Sequence, residues 1–495
     1  MVKCISGVAS GRLRAMLDCT SSLTAPKIRS CGQVFMLYDN FDVRILPANE
    51  KEKYTVEASF GPLGRATEPL GELLSDQGFV DLNQKISQGR RLPRSGSDFM
   101  LLGEKLFRAL FRGNVYYLWL QAVSRTEASE ERDIRVRLAI DPPELAVLPW
   151  EFLFNPERRK FLAADPSTLL VRFLDQSVFP PITPLTVWPP LKMLVVVPGG
   201  TGLDVDRERD LILDAVELLP EGTLDVRFLD GEVTLERLGD AISGEAFHIL
   251  HYIGHGSFDE NRQEAFLYFN GSDRGEWVAT TQIGHLLLTQ STLRLVVLNA
   301  CQSAEVSSAR AFVGMAPALV AAGVPSVVAM QYPILDRDAV SFARNFYRAL
   351  CKGDSVGRVD VATTHARNRL LAYYPGSRGF ATPVIYMRAE WGTLFTLPSG
   401  GHAESKTAAE ILGRNDRYRF YTLKMFENEL ESLRRRLEII QGNLQTYLQR
   451  RDVMGLDTPT YILTEIKRLK DEENALQKEI RRLSALIEQK RTISN

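Results

Sequence analysis

Between Met193 and Met330 short apolar runs alternate with amphipathic ones, and this alternation limits the chain to very few folds. The runs at 193–197, 224–228, 247–253, 293–299 and 326–330 have the length and apolar content of buried strands. The segments at 206–219, 235–242 and 312–322 between them carry apolar residues at helical spacing. Strands that are apolar throughout, separated by helices, specify a parallel sheet covered on both faces. The expected class is α/β, an open sheet flanked by helices.

The 495 residues leave room for more than this unit. Upstream, Phe41, Val43 and Ile45, then Tyr54, Val56 and Ala58, then Ile134, Val136, Leu138 and Ile140 alternate at the period of half-buried strands. Phe99 to Phe111 reads as a helix, and Val115 to Val123 as another apolar strand. Residues 33–185 are thus expected to form a mixed α/β lobe, behind a mobile segment or start-site extension at 1–32. The prolines between Pro180 and Pro190 mark its end, so 186–398 forms the second unit. A small, polar linker occupies 399–415. Within 416–495, Phe426, Leu430, Leu433, Leu437, Ile440, Leu444 and Tyr447 alternate spacings of four and three. Ile462, Ile466, Leu469, Leu476, Ile480, Leu483 and Ile487 repeat the pattern with Glu473 in the seam, and Gly455, Asp457 and Pro459 supply a turn. A helical hairpin, or coiled coil, is expected to bind a protein activator, a sensor or a second copy.

Several classes are excluded. With 60 Lys and Arg against 61 Asp and Glu, nothing overall points to nucleic acid or anionic lipid. Five scattered cysteines form no disulfide framework and no CxxC pair, which fits a cytoplasmic protein, and the leader lacks a signal-peptide core. Ala311 to Ile334 carries no charge, but Gly314, Pro317, Gly323, Pro325 and Pro333 would break a membrane span. It reads instead as a buried helix closed by Gly323 and followed by a strand. His248, His251 and His255 do not suggest metal, because strand positions three apart face opposite sides, and His248 and His251 are expected in the core. The Gly199 to Gly202 run lacks the lysine of a phosphate loop, so no cofactor is expected.

Chemistry is expected at two strand ends. Ile253, Gly254, His255 and Gly256 set a histidine between glycines where a buried strand stops, and open sheets bind ligands at the carboxyl ends of their strands. Leu298 and Asn299 lead into Ala300, Cys301, Gln302 and Ser303, a cysteine at a second strand end.

Phe247 to Gly256 with Leu298 to Ala304 resembles the CHAT peptidases, relatives of separase and the caspases. Leu148, Pro149, Trp150 and Glu151 match that family's LPWE element, and the stretch from Tyr332 to Gly353 resembles its downstream block. Tyr332 departs from the tryptophan common there. The resemblance covers roughly 33–397. It implies a caspase-like fold, a pseudo-caspase-like first lobe, and cleavage of a protein substrate with Cys301 as nucleophile and His255 as base and acid. The backbone N–H groups of Gly256 and Cys301 would form the oxyanion hole. The loops that map to the substrate pocket hold Asp206, Gln302, Gln331, Tyr332 and Asp336, whose acids favour Arg or Lys before the cut. Bacterial relatives serve as effectors in antiviral or cell-death pathways. The alternative is a catalytically silent scaffold acting through the hairpin.

Overall fold

The protein was analysed as a computed structural model, which describes residues 37–47, 54–89, 96–129, 132–174, 182–199, 205–217, 219–220, 222–259, 261–262, 264–271, 275–300, 306–352 and 355–397, with scattered helical positions between 430 and 484. Residues up to Leu397 make one compact unit and those from Pro398 a second.

The first unit is organised around eleven hydrogen-bonded strands. In chain order these are β1 (Leu37–Pro47), β2 (Tyr54–Phe60), β3 (Gly64–Pro69), β4 (Arg132–Ile140), β5 (Thr168–Phe173), β6 (Leu191–Pro198), β7 (Leu224–Gly231) and β8 (Ile249–Gly254). Then come β9 (Gly256–Asp259), β10 (Glu264–Asn270) and β11 (Gly275–Ala279), which pair only with one another, and β12 (Leu295–Ala300), β13 (Ser326–Met330) and β14 (Pro383–Met387). Across the large sheet the order is β7-β6-β8-β12-β13-β14-β5-β4-β1-β2-β3. The strands β7, β6, β8, β12 and β13 are mutually parallel, as their apolar runs require. Between β13 and β14 the direction reverses, and β14, β5, β4 and β1 are again parallel. The lobes expected on either side of residue 185 therefore share one sheet.

Besides a single turn at Pro143–Ala146, the α-helices of the first unit are α1 (Gln77–Ser87), α2 (Ser97–Leu110), α3 (Gly113–Glu127), α4 (Val205–Val216), α5 (Leu235–Gly244), α6 (Thr280–Leu288), α7 (Val306–Ala321), α8 (Asp336–Cys351) and α9 (Val359–Tyr373). Alternate residues of each central strand enter opposite cores. Val195, Ile253 and Val297 pack with α4 and α8, whereas Val196, Tyr252 and Leu298 pack with α5, α6 and α7. The uncharged stretch at 311–334 folds as the end of α7, a turn with Gly323 at φ +115°, and β13. Among the described residues no helix is long and apolar enough to cross a membrane.

One segment differs in type from its expected form. Val115 to Val123 lies in α3, where Val115, Leu118, Trp119, Ala122, Val123 and Thr126 are buried. Those positions recur every three or four residues, so one helical face is covered and Tyr117 and Leu120 are exposed. A nearly unbroken apolar run hides that periodicity.

The LPWE element sits where the lobes meet. Trp150 is buried and donates from Nε1 to the Leu145 carbonyl at 2.8 Å. Glu151, also buried, receives Nε and Nη2 of Arg172 at 3.0 and 2.8 Å. Burial alone would lower the Arg172 pKa, but the Glu151 carboxylate and the Tyr386 hydroxyl hold it above the ordinary arginine value. Gln331, at the end of β13, donates to Glu151 at 2.9 Å and to the Ala381 carbonyl at 2.6 Å. Removing one partner of such a pair strands the other charge in the interior. Glu151→Ala is expected to destabilise the unit by about 3–5 kcal/mol, measured by urea unfolding.

In the second unit the described residues are helical, and Leu444, Ile466, Leu469 and Leu476 form a small core. Gln441 donates to the seam residue Glu473 at 2.8 Å. The Gly455 to Pro459 turn lies outside the described residues.

Candidate active site

The strands β8 and β12 lie side by side in parallel register from Ile249 with Leu295 to Gly254 with Ala300. The next residue after Gly254 is His255, and the next after Ala300 is Cys301. Cys301 and Gln302 lie outside the described residues. Strand order places β8 at a switch point, because the chain runs from β6 outward to β7 and then returns to the other side of β6. Crevices open at the carboxyl ends of strands at such points.

His255 stands where the chain leaves the large sheet and enters β9 of the three-stranded one. Its carbonyl accepts from the Tyr268 N–H at 3.0 Å. The Tyr252 hydroxyl shares its proton between the carbonyls of Tyr268 at 2.7 Å and His255 at 3.1 Å. The Tyr252 ring folds over Gly254, where a Cβ would stand 2.6 Å from the hydroxyl oxygen. A glycine is therefore required before His255. Burial raises the Tyr252 pKa, so the hydroxyl keeps its proton for these carbonyls.

Gly256 pairs with Leu267 in the antiparallel ladder. Because the adjacent His255–Tyr268 pair carries the hydrogen bond, alternation directs the Gly256 N–H away from β10.

The other two histidines are core residues. His248 Nδ1 accepts from the Lys192 N–H at 2.9 Å, and the Tyr347 hydroxyl of α8 lies 2.8 Å from His251 Nδ1. Burial lowers the His251 pKa from 6.5 to about 3. Burial, with the Lys192 and Arg294 charges, lowers that of His248 from 6.5 to about 4. Among the described residues no three His, Cys, Asp or Glu side chains converge to hold a metal.

The residues assigned to the substrate pocket are dispersed. Asp336 opens α8 and its carboxylate binds the guanidinium of Arg207 from α4. Asp206 is exposed on α4. Gln331 is buried against Glu151, and Tyr332 is buried with the Arg378 guanidinium 4.7 Å from its ring centre. The side chains of Gln331 and Tyr332 are thus committed to the core. Sequence reasoning gave no role to Tyr252 or Tyr347. Their place in apolar runs gives no sign of their long-range partners.

The sequence profile of the CHAT domain matches residues 102–374. The chain belongs to the CHAT domain family. Two solved structures of the Saccharomyces cerevisiae separase–securin complex are similar, with TM-scores of 0.43 and 0.42 at 11% and 12% identity. The matches cover 71% and 70% of this chain and 30% of each separase chain, so the CHAT protein spans under a third of their length. No curated protein matches the sequence.

Two tests follow from this geometry. Gly254→Ala must push Tyr252 from its carbonyl partners, and a loss of about 1–3 kcal/mol is expected in thermal or urea unfolding. Below pH 6.5 the unfolded chain protonates histidines that the folded chain keeps neutral, so stability falls as pH drops from 6.5 toward 4. His248→Asn, which retains an acceptor for the Lys192 N–H, is expected to flatten that dependence when melting temperature is followed across the window.

Proposed function

We propose that the chain is a cysteine endopeptidase in which His255 and Cys301 act as a dyad. The observation that carries this reading is the register of β8 and β12. Gly254 faces Ala300, and the residues that follow them are a histidine and a cysteine, an acid–base group and a nucleophile. Neighbouring strands lie about 4.8 Å apart, a span that an imidazole and a thiol bridge readily.

In this reading His255 takes the thiol proton as Cys301 Sγ attacks the scissile carbonyl, and it returns that proton to the leaving amine. Water then hydrolyses the thioester, activated by the same imidazole. The Gly256 N–H, directed off its ladder, supplies one donor to the tetrahedral oxyanion, with the Cys301 N–H as the second. The Tyr252 hydroxyl holds the His255 backbone by donating to its carbonyl. A preference for Arg or Lys before the cut would require the substrate cation to take Asp336 from Arg207, with which its carboxylate is paired. Residues 416–495 would recruit an activator, a sensor or a second copy, as suits a regulated effector in bacterial defence or cell death.

The test is cleavage of a proteome-derived peptide library, with cut sites read by mass spectrometry. Cuts made by the natural chain are expected to vanish in Cys301→Ala and His255→Ala and to follow basic residues. Cuts that persist in both variants would sink the dyad, and cuts without basic preference would remove Asp336 from the pocket.

A further inference from the structure

Beneath the strand ends, on the face covered by α8, His251 and Asn299 line a cavity of ≈ 10 Å³ together with Val297, Met330, Phe342 and Tyr347. Both polar side chains are at least nine-tenths buried, at 2% and 9% exposure. His251 Nε2 and Asn299 Oδ1 have no hydrogen-bond partner among the described residues. A buried polar atom left so costs about 1–3 kcal/mol, and two at one cavity call for a common ligand.

The hydrogen-bond roles identify that ligand. The Tyr347 hydroxyl is buried and its partner is His251 Nδ1, so it donates there, since an O–H that only accepted would strand its own proton. Nδ1 is then the acceptor and the ring proton sits on Nε2. The cavity thus presents one donor, Nε2–H, and one acceptor, Asn299 Oδ1. A water molecule accepts from the first and donates to the second, and the volume suits about one water. A cation would meet the Nε2–H, and an anion would meet the carbonyl oxygen.

We propose that this chamber binds a single internal water bridging His251 Nε2 and Asn299 Oδ1, and that Asn299 is a positioning residue for the dyad. The second part rests on the peptidase reading above. Asn299 stands two residues before Cys301 on β12, and His251 stands four before His255 on β8. The chain Tyr347, His251, water, Asn299 would tie α8 to both strands just below the reacting groups. Asn299 would act through the strand end and not on substrate.

The test compares the full natural chain with Asn299→Leu, which matches the side chain in size but cannot hold the water. Water oxygen-17 relaxation dispersion is expected to show one long-lived internal water fewer in the variant, and nitrogen-15 spectra of the natural chain to show His251 as the Nε2–H tautomer. Equal dispersion, or an Nδ1–H tautomer, would overturn the water site. Tyr347→Phe, which leaves both strands intact, is expected to lose the single tautomer and serves if the leucine variant does not fold. On a cleaved peptide, Asn299→Leu is expected to lower kcat about tenfold with little change in KM, the size of one lost hydrogen bond. Asn299→Asp, which keeps the acceptor, is expected to restore most of it. An unchanged kcat overturns the positioning role. Cuts that persist in Cys301→Ala and His255→Ala remove the dyad reading and that role together, while the relaxation result decides the water site alone.

Discussion

The buried pair of Glu151 and Arg172 is the constraint on which the first unit turns. Arg172 lies on β5, in the half of the sheet that forms from the upstream lobe, and Glu151 follows the buried Trp150. Gln331, reaching the same carboxylate from the end of β13, and Tyr386 of β14, reaching the same guanidinium, come from the other half. Two charges in an apolar interior are tolerated only where each hydrogen-bonding group is answered. Here the answers come from both lobes, so neither lobe completes its core alone. The strand β14 makes the joint continuous, parallel to β5 on one side and antiparallel to β13 on the other.

With the lobes joined, the parallel strands β6, β8, β12 and β13 send their carboxyl ends to one edge. The site is a property of that edge. A parallel register makes every residue of β8 level with one of β12, so two short sequence motifs far apart in the chain finish at the same height. Tyr252 then fixes the exit of β8 by holding the carbonyls of His255 and Tyr268, and this is possible only because Gly254 leaves room for its ring.

Much of this was legible before any coordinates. The strands β1, β2, β4, β6, β7, β8, β12 and β13 announce themselves by apolar runs or strict alternation, and α2, α4, α5 and α7 by helical spacing. Strand β14 was not, since Pro383 to Met387 is short and flanked by residues with no turn signature. The β9–β11 sheet was not either: its Glu264–Asn270 strand alternates, but its partners are short and partly polar. At the site, His255 stood out because glycines flank it at the end of an apolar run. Gln331 and Tyr332 looked like pocket residues because the family resemblance maps the pocket onto the loop after β13, and only their burial against Glu151 and Arg378 shows how their side chains are used.

The sequence by itself determined which segments are strands and helices, that the central strands are parallel and covered on both faces, and which histidine ends a strand between glycines. Periodicity and local backbone chemistry suffice for that, because they act within a few residues. Tertiary structure alone decided that the two lobes share one sheet, that Glu151 meets Arg172, that Tyr252 clasps His255, and that His251 and Asn299 open on one cavity. Each of these depends on side chains brought together across tens to hundreds of residues, and no local pattern records the partner at the other end.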